Sequence, residues 1–203
     1  MIDHLYPIAF LGGSGGTFLS SWLNEAAYGI PVKLNDTGNA HQSSKYAGFS
    51  IFDEQSDAIE SLKKKYIGSS IKLFVASHIV DNELLLSSFA KCTKLTYDLD
   101  DTLDIAINFY AKNSIYSSQD VRSFINSRLK ATEQFNAAMT IRLPESEKYS
   151  NVSWKELLYG DSSSLINYLS NFYSIDSSRF NVDILARWRE LTLNNIYTVK
   201  PKL

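Results

Sequence analysis

Cysteine is nearly absent: Cys92 stands alone in 203 residues, which excludes an internal disulfide and any thiolate-rich metal site. Histidine is scarce too, and His4, His41 and His78 lie too far apart for the spacing of a zinc site. Neither sign of charge dominates, with 20 Lys plus Arg against 22 Asp plus Glu and a net charge of −2. No global basic field therefore points to nucleic acid or to an anionic membrane, and any bound anion must be met by a local site. No apolar run approaches the ~18 residues of a membrane span. The opening Met-Ile-Asp-His also lacks the basic segment and apolar stretch of a signal peptide. The expectation is a cytoplasmic protein with neither a membrane nor a nucleic-acid partner.

What is present is 44% hydrophobic and 13% aromatic content, which suits a globular core rather than a disordered chain. At this length, residues 1–203 are expected to form a single domain. The most informative stretch is IAFLGGSGGTFLSSWL, Ile8 to Leu23. Tyr6–Leu11 reads as a buried strand, and Thr17–Tyr28 as a helix whose apolar side carries Phe18, Leu19, Trp22, Leu23 and Ala26. Between them stand Gly12, Gly13, Ser14, Gly15 and Gly16. The first N–H groups of a helix have no intrahelical partner, and the helix dipole adds about half a positive charge at that end. Glycines there let backbone N–H groups turn toward a phosphate or sulfate, with Ser14 and Thr17 as further hydroxyl donors. The alternative is a tight turn whose glycines serve packing alone.

Further along, Gly29–Gln55 is polar and aperiodic, long enough to suggest a functional loop. Asp57–Tyr66 reads as a helix with a lysine-rich solvated face. Ile71–Ser77 is expected as a second strand, Asn82–Phe89 as a helix, Lys94–Tyr97 as a third strand and Leu103–Ala111 as a helix. Ser118–Thr140 fits one long amphipathic helix. Asn151–Trp154 reads as a fourth short strand, followed by helices over Trp154–Tyr159, Ser163–Tyr173 and Phe180–Ile196. The serines of GDSSS and IDSSR look like helix caps. Strands alternating with helices imply a three-layer α/β/α fold with a parallel sheet, whose ligands sit at the carboxyl ends of the strands. The glycine loop, His78 and Asp98–Asp101 all fall at that edge.

The loop departs from two familiar phosphate cradles. The nucleotide-triphosphatase pattern G-x-x-x-x-G-K-[ST] would need lysine where Gly16 stands, and the dinucleotide pattern G-x-G-x-x-G, begun at Gly13, meets Phe18 in place of its third glycine. A third group is closer. GGSGGTFL resembles the P-K-S-G-T-T-[WF]-L loop of the P-loop sulfotransferases, with Ser14, Gly15, Thr17, Phe18 and Leu19 on matching types and Gly12, Gly13 and Gly16 as departures. ASHIVD is similar to the family's second strand end, whose histidine is the usual base. LDDTLDIAINFYAKNS is similar to R-[DN]-P-x-D-x-x-x-S-x-Y, with Asp104 and Tyr110 retained. NVSWKELLYGDSSSLINYLSNFYSI has the shape of the family's late strand and helix pair, with Leu157 and Phe172 at apolar positions.

That resemblance implies a P-loop nucleoside-triphosphate-hydrolase-like fold of the sulfotransferase type. It further implies sulfuryl transfer from 3′-phosphoadenosine 5′-phosphosulfate to a small-molecule or sugar hydroxyl acceptor. His78 would be the catalytic base. Gly12, Gly13, Ser14, Gly15, Gly16, Thr17 and Phe18 would cradle the cofactor, and Asn108 would stand where the family places its 3′-phosphate serine. Asp100 replaces the family's 3′-phosphate arginine and Gly13 its loop lysine; Lys200, Lys202, Arg122 and Arg128 are the available stand-ins. The cluster Asp98, Asp100, Asp101 and Asp104 reads either as a magnesium site, which would favour phosphoryl transfer, or as turn and cap chemistry. Two alternatives therefore accompany the sulfotransferase reading: a lysine-free P-loop kinase-like phosphotransferase, and a non-catalytic anion-binding module of the same fold. On the sulfotransferase reading, His78→Ala should abolish sulfuryl turnover with little loss of donor binding; a variant as active as the parent would remove the base assignment.

Overall fold

The computed structural model describes residues 5–40, 73–77, 89–113, 120–140 and 142–203. Among these, four strands form one parallel sheet in the order β2-β1-β3-β4, with β1 Leu5–Ala9, β2 Leu73–Ser77, β3 Cys92–Thr96 and β4 Tyr149–Ser153. Register pairs Tyr6 with Phe74, Ile8 with Thr93, and Thr93 with Ser150. Helices lie on both sides of the sheet, and β3 is buried along its whole length, as a strand covered on both faces must be. The expected α/β class with a parallel sheet is what is observed. Because β2 and β3 flank β1 on opposite sides, the strand order reverses at β1, and the crevice outside its carboxyl end is where such sheets place ligands.

Among the described residues, six helices follow from local signals. They are α1 Gly16–Tyr28, α2 Thr102–Asn113, α3 Val121–Thr140, α4 Trp154–Tyr159, α5 Ser162–Tyr173 and α6 Val182–Val199. β1 ends at Ala9 rather than Leu11, so Phe10 and Leu11 already belong to the loop. β4 stops at Ser153 because Ser153 and Glu156 form a reciprocal capping box that starts α4 at Trp154. α5 and the short turn at Ser177–Arg179 are capped by Asp161 and Asp176, whose carboxylates accept from the Ser164 and Ser178 backbones. In GDSSS and IDSSR the acid, not a serine, is thus the cap. α6 starts at Val182, two residues later than expected, because Asn181 caps it. The expected helix Asp57–Tyr66, and Asn82–Phe89 apart from Phe89, lie outside the described residues, as do residues 41–55 of the long loop.

All three tryptophans are buried, as their apolar settings suggested. Trp188 of α6 stacks on Phe18 of α1 with ring centroids 4.6 Å apart, and Trp22 donates from Nε1 to Asn181 O at 2.9 Å. Arg189 ties α6 to α4 and α5 through Leu157 O, Glu156 O and Ser162 Oγ. At the β2 edge, Asn24 of α1 donates from Nδ2 to Phe74 O and accepts from Phe74 N, both at 2.9 Å. At the β4 edge, Asn151 N donates to Tyr168 Oη and Tyr149 O accepts from Ser146 N. Asn24 is almost fully buried, so truncating it would strand two backbone groups. Asn24→Leu should lower the unfolding free energy by about 1–3 kcal/mol in urea denaturation.

Candidate functional site

The glycine loop is shaped by its own turn and by one face of α2. Ser14 donates to Leu11 O twice, from N at 3.0 Å and from Oγ at 2.7 Å, and its side chain is fully buried. Its hydroxyl proton therefore closes the turn, and Thr17, partly exposed, is left as the loop's hydroxyl toward the cavity. Gly13 and Gly15 have φ of 99° and 90°, in the left-handed region that favours glycine. A Cβ on Gly13 would lie 2.4 Å from Ile105 O, and one on Gly15 would lie 2.7 Å from Trp188 Cζ2. Both glycines are thus required by close approach as well as by backbone angle.

α1 begins at Gly16 with Gly15 as an N-cap that offers no side-chain acceptor, and Leu19 N is the first to find an intrahelical carbonyl. The N–H groups of Gly16, Thr17 and Phe18 are the orphan donors of that end. They border a cavity of about 80 Å³ whose walls include Gly12, Gly13, Thr17, Asn39, Phe109 and Lys112. Phe18 is a buried core side chain that lends the site its backbone.

From α2, Ile105, Asn108, Phe109 and Lys112 follow one another at the i, i+3, i+4, i+7 spacing of one helix face. Asn108 Nδ2 donates to Gly13 O at 2.7 Å, while its Oδ1 accepts from Asn195 Nδ2 at 3.1 Å. Asn108 is fully buried, so it stands behind the loop and braces it. Asn195 also donates to Thr37 O at 3.0 Å, in a turn where Asn35 Oδ1 accepts from Thr37 N, Thr37 Oγ1 and Asn39 N. A continuous chain of hydrogen bonds thus runs from the 35–40 segment through α6 and α2 to the glycine loop.

Lys112 and Arg128 are the cations at this place. Lys112 Nζ lies 5.5 Å from the Trp188 ring centroid; the residue is half-buried, and burial of its ammonium pushes the pKa down to about 8. Sequence inspection passed over Lys112, although it lies one helical turn after Asn108 on the same face. Arg128 of α3 donates from Nη2 to Gly12 O at 3.2 Å and stacks 4.1 Å over Phe109; its Nε is buried with no partner. Of the other stand-ins, Lys200 pairs with Asp104 at 2.9 Å and Arg122 is exposed on α3.

The aspartates take the turn and cap role. Asp98 and Asp101 share Lys155 at 2.9 and 3.4 Å, and Asp101 Oδ2 accepts from Asp98 N in a capping box over Leu99–Asp101. Among the described residues, no group of three or more His, Cys, Asp and Glu is arranged to hold a metal. Asp100 is exposed. His4, His41 and His78 lie outside the described residues, so the base assignment of His78 stands as a sequence expectation. No helix among the described residues is long and apolar enough to cross a membrane.

No family model and no curated protein matches the chain. Among solved structures, it is similar to an unliganded sugar kinase from a Janibacter species, with a TM-score of 0.45 and 12% identity over 88% of this chain and 99% of that one. A score this low leaves the fold to be argued from the sheet and the site from its own geometry. The likeness to sulfotransferases rests on the motif positions alone.

Gly15 is the loop position where packing and ligand effects are most easily confused. Its missing Cβ faces Trp188, so Gly15→Val should lower the unfolding free energy by about 2–3 kcal/mol with no ligand present, measured by urea denaturation.

Proposed function

We propose that the chain is a phosphotransferase-type protein that holds the terminal phosphate of a nucleotide in its glycine loop and serves a small hydroxylated or sugar acceptor. The observation that carries this is the set of unclaimed N–H groups at the start of α1, opening on a small cavity at the carboxyl end of β1. Phosphoryl transfer asks the protein mainly for positioning and for electrostatic stabilisation of three equatorial oxygens, which backbone donors and a cation supply; with Asp98, Asp101 and Asp104 paired to Lys155 and Lys200, any magnesium would have to come in on the nucleotide's own phosphates. His78, at the end of the second strand segment, is the candidate base for the acceptor hydroxyl.

Sulfuryl transfer from 3′-phosphoadenosine 5′-phosphosulfate is the second reading, favoured by the order of the sulfotransferase-like segments. Two observations weigh against it. The position matched to the 3′-phosphate arginine is the carboxylate Asp100, and the amide of Asn108, matched to the 3′-phosphate serine, is bonded at both ends to protein. A 3′-phosphate would find neither of its expected partners.

Calorimetric titration of the purified chain with ATP and magnesium, beside adenosine 3′,5′-bisphosphate, separates the two. Saturable binding of ATP with no heat from the bisphosphate is expected. Binding of the bisphosphate alone would transfer the case to sulfuryl chemistry, and binding of neither would remove the nucleotide from the proposal.

A further inference from the structure

Phosphate-binding loops of both families place a lysine inside the loop, and here those positions are Gly13 and Gly16. Backbone N–H groups at a helix start can hold an oxyanion by themselves, and a full positive charge beside them further offsets the desolvation of a dianion. Two lysines near the carboxyl ends of the strands are already engaged: Lys155 with Asp98 and Asp101, and Lys200 with Asp104. Lys112 differs from these. It lines the cavity of the glycine loop and, among the described residues, has no carboxylate within ion-pair distance.

We propose that Lys112, carried by the last turn of α2, is the cation that replaces the missing loop lysine, gripping a single tetrahedral phosphate or sulfate group against the N–H groups of Gly16, Thr17 and Phe18. This rests on the oxyanion-binding reading of the loop and specifies how the charge is met. Three features converge on it. The cavity of about 80 Å³ suits one small anionic group rather than a whole nucleotide, which must extend outward from it. The Trp188 face holds the ammonium in place at 5.5 Å without neutralising it. The α2 stripe that seats Asn108 against Gly13 also fixes the height at which Lys112 projects.

The surroundings give the site a definite pH response. Among the described residues, Lys112 shares the cavity lining with Thr17 and Phe18 of α1, Gly38, Asn39 and Ala40 of the 29–40 segment and Phe109 of α2, and it faces Trp188 of α6, none of which titrates; Arg128 lies outside the lining. Burial is therefore what lowers the ammonium to about 8. A bound anion favours the protonated form, so affinity is full below that value and declines as pH rises through it.

The test uses sulfate, whose charge is constant across the range. Shifts of the amide groups that carry the Gly16, Thr17 and Phe18 N–H are followed through their carbonyl carbons, by carbon-detected NMR that solvent exchange does not affect, during sulfate titration at about pH 7 and about pH 9.5, at matched ionic strength, for the parent, Lys112→Met and Lys112→Arg. The parent should bind more weakly at the higher pH by roughly tenfold or more. Lys112→Met should bind weakly and equally at both, and Lys112→Arg should keep binding at both. A methionine variant that retains parental affinity and pH dependence, with the loop amides still shifting, overturns the role of Lys112 and leaves the loop as an anion site. If the loop amides fail to shift in the parent at any sulfate concentration, the loop reading and this proposal fall together.

Discussion

Everything at the candidate site depends on how closely α2 approaches the glycine loop. Ile105 O and Phe109 leave no room for side chains at Gly13 and Gly12, and Asn108 fastens the Gly13 carbonyl from the same helix face. That contact turns a flexible composition into a fixed turn, because the carbonyl pinned by Asn108 sets the direction of the peptide that follows. Removing side chains from the loop thus serves two ends: it permits donor groups to face a ligand, and it permits a helix to lean on the loop from behind.

Trp188 is the second support. It stacks on Phe18 under the start of α1, limits Gly15, and presents its face to Lys112. The glycine loop, the core and Lys112 therefore share one indole ring. Among the described residues its Nε1 has no acceptor, an uncommon state for a buried tryptophan, and its ring is held by stacking on Phe18.

The elements were largely legible in the sequence, because hydrophobic periodicity and capping are local. The strand after the first four residues, the glycine turn and the helix Trp154–Tyr159 could all be marked from neighbours in the chain. What could not be read was long-range. Ser14 looks like an anion donor until its hydroxyl is found on Leu11 O, and Asp98 and Asp104 look like a metal cluster until Lys155 and Lys200 arrive from elsewhere in the chain. Lys112 was hidden for the same reason, since nothing local says which loop a helix face will meet. A residue's chemistry is written in its type, whereas its role depends on partners separated by tens of positions.

Among the described residues, β2 and β4 are the outer strands of the sheet, and part of their backbone is already taken. Asn24 occupies both backbone groups of Phe74, while Tyr168 and Ser146 occupy outward-facing groups of β4. These are the hydrogen-bonding sites that a strand from another molecule would need in order to add to the sheet. At those positions the chain's own side chains and backbone thus occupy groups that an added strand would have to pair with, so strand addition there would first have to break existing bonds.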